Sequence, residues 1–282
     1  METKRSGELP LRILTSAVIV ILLVGLFVLR EFADYRIFNL LFYGFSVIGT
    51  FEMCRALKDE LTFFVKCVVW AYAIVFVPIA TMFPDFVGVT TFAAALLVLC
   101  SLVIDFDSAT IKSVGCGLLV CAYPNFMLTA FIKLNAMQHN GFVPLLLVFA
   151  TSTVSDVFAY FSGSIIKGKK LCPNISPKKT VSGFCGGLLG GAIGAIAVWL
   201  VLPSAKGFVY AVDWEWVFYL VIGLLSSAVS SFGDLVEGAM KRKLGVKDMG
   251  KILPGHGGVL DRIDSAILNS VFIYFLFSFL LR

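Results

Sequence analysis

The chain has 282 residues, of which 59% are hydrophobic and 15% charged, with a formal net charge of +5 and a mean hydropathy of +0.94. Soluble domains are about 45–50% apolar and about 25% charged, so this composition excludes an ordinary soluble or disordered protein. No polar stretch is long enough to fold alone, and a single integral membrane domain over residues 1–282 is expected.

A membrane-spanning helix needs roughly 17–25 apolar residues, and nine segments qualify: 11–29, 37–53, 62–82, 86–104, 113–132, 141–163, 181–203, 216–240 and 259–281. Barrel strands would be shorter and would alternate, so the predicted class is an all-α polytopic membrane protein of about nine transmembrane helices. The first run follows Lys4, Arg5 and Arg12 and meets no small-x-small cleavage pattern before Arg30. It therefore reads as a retained helix rather than a removed signal.

Nine spans put the N-terminus and four loops on one side. That side carries 16 of the 23 Lys and Arg residues, the other side 5, while Lys66 and Arg262 fall inside spans. The positive-inside rule then places the N-terminus in the cytoplasm. Two loops on that side, 164–180 and 241–258, hold ten of its 16 basic residues. Charges such as Arg55 and Lys58 need no further role than topology and contact with anionic headgroups.

The seven cysteines form no CxxC pair and mostly sit inside apolar runs, which argues for small hydrophobes rather than zinc ligands. His139, beside Asn140, reads as a solvated loop residue. The run GSIIKGKK (163–170) imitates a P-loop but lacks the closing Ser or Thr and follows an apolar helix, so that reading fails. Gly186, Gly187, Gly190, Gly191 and Gly194 form rows of small residues suited to helix packing.

In the eighth span Ser227, Ser230, Ser231, Asp234, Glu237 and Lys241 recur at helical spacing and share a face. In the ninth, Asp261, Asp264 and Ser265 lie at i, i+3 and i+4, with Asn269 continuing the row. Carboxylates within spans are costly, and by default they mark function. Two such groups entering from one side can converge, and oxygen-only ligands suit Mg²⁺, which binds one or two carboxylates together with substrate phosphates. His256 suits that ion less well. Gly257 and Gly258 permit close backbone approach, and the ninth helix's first N–H groups are expected to be free for an anion. A bound phosphate would also offset the unfavourable position of Arg262 in the first turn. In GKKLCPNISPKKTVSGFCGG (168–187), Lys178 and Lys179 stand before the seventh span, and Ser176 and Thr180 can cap the helix or bind phosphate. Asp156 and Tyr160 share a face of the sixth span.

From Lys241 onward, KRKLGVKDMGKILPGHGGVLDRID resembles the signature of the phosphatidate cytidylyltransferases, the CDP-diacylglycerol synthases. The matching positions are Lys241, Arg242, Lys247, Asp248, Gly250, Pro254, His256, Gly257, Gly258, Asp261, Arg262 and Asp264. The preceding GDLVEG is similar to the family's G-D-L-x-E-S and supplies Asp234 and Glu237. A second block also matches: Asp156, Ala159, Tyr160, Gly163, Lys170, Leu171, Pro173, Ser176, Pro177, Lys179, Thr180 and Gly183. The likeness is strong over roughly 156–265. The catalytic helices and loops thus fall within 141–281, while the spans of 11–132 are less family-like, with Arg12 and Glu52 as early hints. Departures are Gly238 for Ser, Ser182 for Glu or Gln, Ser164 for a basic residue, and Lys167 where Gly is usual.

The resemblance implies that CTP and phosphatidic acid yield CDP-diacylglycerol and pyrophosphate, for phospholipid biosynthesis, in a bacterial inner membrane with the active site toward the cytoplasm. It implies catalytic roles for Asp234, Asp261, Asp264, His256 and Lys241. Mg²⁺ would sit on Asp234, Asp261 and Glu237, with room for a second cation. Substrate contacts would come from Ser176, Lys178, Lys179, Thr180, Arg242, Lys247, Asp248, Gly257, Gly258, Arg262, Asp156 and Tyr160. Membrane lipids are expected partners and nucleic acid is not, while a homodimer is compatible with this reading. Two rivals differ in chemistry. A transporter would use Asp156, Asp234 and Asp261 as a midplane site, but no inverted repeat of broken helices is visible. A CTP-dependent polyprenol kinase would release CDP instead of pyrophosphate.

Overall fold

The computed structural model describes residues 17–18, 21–58, 60–137, 142–202, 214–253 and 257–280. Residues 21–32 are helical, and the rest of the expected first span lies largely outside this set. A 3-10 turn at Tyr35–Phe38 leads into α1 (Asn39–Ala56), followed by α2 (Phe63–Met82), α3 (Val87–Ile104), α4 (Ile111–Cys121) and α5 (Leu128–Asn135). Then come α6 (Phe142–Ile165), strands β1 (Lys170–Cys172) and β2 (Ser176–Thr180), α7 (Val181–Val201), α8 (Glu215–Lys243) and α9 (Leu260–Leu280). Eight helical segments among the described residues are long and apolar enough to cross a membrane, matching the last eight expected spans to within a few residues at most ends. The chain is thus a polytopic, nearly all-helical integral membrane protein.

The chain forms two compact units. The first comprises 1–132 and 246–262, the second 133–245 and 263–282.

In the first unit α1, α2, α3 and α4 pack in sequence around Phe42, Val65, Val69, Phe76 and Val98, all fully buried. A π-turn at Ala122–Phe126 interrupts the expected continuous span 113–132. Its cause is Pro124, which has no N–H to give the carbonyl of Val120 four residues back. The side-chain Nδ2 of Asn125 donates to that carbonyl instead, at 3.0 Å, and also to Thr50 Oγ1. Ser46 Oγ then donates to Asn125 Oδ1 at 2.5 Å. Away from water an unmade hydrogen bond is expensive, so this network restores what proline removes. Lys66, inside the third expected span, turns its ammonium to the carbonyl of Lys58 at 2.9 Å. Lys112 meets Glu60 at 2.6 Å. That pair joins the loop before α2 to the start of α4, as the parity of the spans requires.

In the second unit α6, α7 and α8 pack closely because the glycine rows of α7 leave no side chain between the helices. A Cβ on Gly190 would stand 2.8 Å from the carbonyl oxygen of Val154, and one on Gly194 2.9 Å from that of Ala150. On the other side, a Cβ on Gly191 would stand 2.5 Å from the carbonyl oxygen of Gly223 in α8. Ser227 Oγ lies 2.6 Å from Ser155 Oγ and donates to the Gly187 carbonyl. Asn269 receives Ser226 Oγ at 2.6 Å and donates to Thr151, Ser152 and the Val148 carbonyl. Ser227 of the polar row on the eighth span and Asn269 on the ninth are therefore hydrogen-bonded into the helix packing.

The short antiparallel hairpin β1–β2 is an element that the helical reading lacks. Lys170 pairs with Thr180 and Cys172 with Ser176 around Pro173–Asn174. Proline and asparagine favour the tight reversal.

Gly191→Leu is expected to lower the thermal midpoint of the purified protein in detergent, by an overpacking cost of about 1–3 kcal/mol. Leu189→Ala, at a side chain 62% exposed on the same helix, is the control and should change it little. Differential scanning fluorimetry measures both.

Candidate functional site

In the second unit a cavity of about 370 Å³ is lined by Asp156, Tyr160, Lys178, Lys179, Thr180 and Asp234, among others. Thr180 builds one wall. It precedes α7, and its Oγ1 caps that helix by accepting from the Gly183 N–H at 3.1 Å. Gly163 and Gly183 make room for it, since a Cβ on either would come within about 3 Å of Thr180 Oγ1. The hairpin turns Lys179 toward α8, where its ammonium meets Asp234 Oδ2 at 2.6 Å and the Ser231 carbonyl at 3.4 Å. Lys178, the next residue back in the strand, is exposed and also lines the cavity. Tyr160 stands 72% exposed at the rim, edge-on to Phe161.

One turn beyond Asp234, the fully buried Glu237 meets Lys241 at 3.2 Å. Asp264 in α9 is buried, accepts from the Ser265 N–H at 2.7 Å, and lies within electrostatic range of Asp234, Asp156 and Lys241. Ser230, one turn before Asp234, is fully buried with no hydrogen-bond partner for its hydroxyl. Arg242 Nε donates to the Ile175 carbonyl at 3.1 Å, tying the end of α8 to the hairpin. Three aspartates of like sign near one another repel in a low dielectric, and lysines or a bound cation relieve that repulsion. Asp156, Asp234, Asp264, Lys178, Lys179, Thr180 and Lys241 thus form a compact polar centre. Such an arrangement can receive a phosphate-bearing ligand at the lysines and a hard cation at the carboxylates.

In the first unit the loop 246–259 and the start of α9 carry the remaining site residues. Lys247 and Asp248 are exposed, as is Arg262. His256 lies outside the described residues. Asp261 turns back on its own loop, with its carboxylate accepting from the Met249 N–H at 3.0 Å and the Gly258 N–H at 2.9 Å. Gly257 has φ +88°, a conformation that favours glycine. An isolated bridge from Leu253 to Gly257 closes the loop.

One expectation fails here. The first N–H groups of α9 are not available to a ligand. Those of Val259 and Leu260 donate to Glu52 Oε1 and Oε2, each at 2.9 Å, and that of Gly258 to Asp261. A carboxylate of the protein itself occupies the helix's positive end. In the sequence Glu52 is an acid in an apolar run and an early hint of the family likeness, and neither signal names the helix start as its partner.

Among the described residues no group of three or more His, Cys, Asp or Glu is arranged to hold a metal by itself, and the described cysteines are free.

A model of the cytidylyltransferase family matches residues 10–280. A phosphatidate cytidylyltransferase of Bacillus subtilis (strain 168) is 31% identical over 277 residues, covering 95% of this chain and 97% of the relative. One from Thermotoga maritima is 35% identical over 181 residues, 64% of this chain and 65% of the relative. One from Staphylococcus saprophyticus is 42% identical over 135 residues, 48% and 49% respectively.

Two of the departures noted in the sequence touch each other. Lys167 adopts φ +58°, the region where glycine is at ease, and its carbonyl accepts a hydrogen bond from Ser182 Oγ. A non-glycine residue in that region costs about 1 kcal/mol. Lys167→Gly is therefore expected to leave the thermal midpoint in detergent unchanged or raised, by up to about 1 kcal/mol in stability. Lys169→Gly is the control and should not raise it.

Proposed function

This chain belongs to the cytidylyltransferase family, and we propose that it is a CTP:phosphatidate cytidylyltransferase of phospholipid biosynthesis. A phosphate oxygen of phosphatidate attacks the α-phosphorus of CTP. The bond from that phosphorus to the α–β bridging oxygen breaks, and CDP-diacylglycerol and pyrophosphate result. The observation that carries this reading is the cavity in which Lys178, Lys179 and Thr180 face Asp156 and Asp234, in a chain matched over 95% of its length by a phosphatidate cytidylyltransferase.

The residues divide the work by charge. Lys178 and Lys179 hold phosphate oxygens, with Ser176 and Thr180 as neutral donors beside them. Lys179 is oriented beforehand by Asp234, which limits the entropy lost when an anion arrives. Lys241, Arg242, Lys247 and Arg262 add positive charge for the nucleotide, and Asp248, Gly257, Gly258 and His256 belong to the same sequence motif. Tyr160, at the cavity rim, contacts the lipid substrate.

Mg²⁺ is the proposed cofactor. By the family likeness Asp234, Glu237 and Asp261 would hold it, with Asp264 in support. The donors fit, being oxygens only. Mg²⁺ needs few protein ligands because waters and substrate phosphates complete its shell, so a ready-made cluster of three is not required. When bound, the ion neutralises charge that develops on the phosphates, and a second cation fits the same logic. The excess of basic residues on one side of the spans supports an active site on the cytoplasmic face of a bacterial inner membrane. One substrate is then a lipid and the other a soluble anion of that compartment.

Purified protein supplied with labelled CTP, phosphatidate and Mg²⁺ is expected to release pyrophosphate and form CDP-diacylglycerol, and chelation should abolish both. Release of CDP would instead identify a kinase, and ion flux without lipid product a transporter. Asp261→Asn should lose at least about 100-fold in turnover while eluting as folded protein, following the upper range for metal-site substitutions. Wild-type activity in that variant would remove Asp261 from the metal site.

A further inference from the structure

Glu52 is fully buried in α1, at the core of the first unit. Its two carboxylate oxygens each accept from one backbone N–H at the start of α9, those of Val259 and Leu260. The loop is cut to admit it. A Cβ on Gly250 would fall 1.9 Å from Glu52 Oε1, and one on Gly258 would fall 2.7 Å from both oxygens. Two glycines of the family-like motif are therefore a seat for this one side chain. Asp261, in the first turn of the same helix, accepts from Met249 and Gly258. Two carboxylates thus take up four backbone N–H groups of one short segment.

We propose that Glu52 is a positioning residue for Asp261, holding the first turn of α9 so that the Asp261 carboxylate keeps its direction. This rests on the role given to Asp261 above. An apolar side chain of similar size would fill the space but leave two N–H groups unpaired in a dry interior. They would recover partners only by moving the turn. A carboxylate satisfies both and also sits favourably at the positive helix end. With Glu52 and Asp261 there, Arg262 in the same turn no longer faces an uncompensated dipole. Glutamine has the shape of glutamate but replaces one acceptor oxygen with an NH₂ group, so it can hold only one of the two N–H groups.

The test uses the full-length protein in detergent or nanodiscs. In Glu52→Gln, backbone hydrogen exchange is expected to rise about tenfold or more in peptides covering 249–262 and to stay unchanged in α6 and α7. The Mg²⁺ concentration for half-maximal activity should rise about 10–100-fold, the range seen when residues orienting metal ligands are altered. The KM for phosphatidate should change little, while the thermal midpoint falls because one buried N–H has lost its acceptor. Wild-type exchange in 249–262, or a wild-type Mg²⁺ requirement, would overturn the proposal. If Glu52→Gln does not accumulate, Gly250→Ala serves instead, since it displaces the carboxylate without removing it. It should reproduce both changes, and Glu52→Asp in the same chain should partly reverse them by drawing the carboxylate back. Wild-type behaviour of Gly250→Ala would equally overturn the proposal. Asp261→Asn separates the two ideas. If its Mg²⁺ requirement is normal, Asp261 is no metal ligand, whereas the exchange result still reports on Glu52.

Discussion

A charge buried among apolar helices must meet an opposite charge or a set of hydrogen-bond donors, and much of this protein is arranged around that requirement. Glu52 meets two backbone N–H groups of α9, and Asp261 meets two from its own loop. Asp234 meets Lys179, and Glu237 meets Lys241. Glu52 and Asp261 hold the segment 249–260, and Asp234 holds the hairpin, so satisfying these charges also fixes stretches that carry the motif residues. The cost of burying a carboxylate is high enough that the helices cannot shift far without losing its partner.

Glycine is the complement of this scheme. Gly250 and Gly258 yield space to one carboxylate, Gly163 and Gly183 to the capping hydroxyl of Thr180, and the rows of α7 to the backbones of α6 and α8. These positions account for nine of the chain's 25 glycines. Among the described residues Gly168, Gly245 and Gly257 have positive φ and serve backbone conformation.

The proposed chemistry draws on the same parts. Transfer of a nucleotidyl group to a lipid phosphate brings together two anions, and it depends more on holding them and neutralising their charge than on a covalent intermediate. A basic hairpin whose lysine is already paired to an acid suits that task. So does a set of carboxylates able to share a hard cation with substrate phosphates.

The amino-acid sequence by itself determined the helical spans and their order, because hydrophobic runs of membrane length allow little else. It also marked Asp234, Asp261, Asp264 and the lysines of 178–179, since charge stands out against so apolar a background. Tertiary structure decided what those residues touch. It set Lys179 against Asp234, 55 positions apart, and filled the start of α9 with Glu52, more than 200 residues earlier. It showed Asn269 and Ser227 to be packing nodes, and it folded 170–180 as a hairpin. Periodicity reports which residues share a face of one helix. Which partner satisfies a buried polar group depends on the neighbours that folding brings near, and no local pattern contains that.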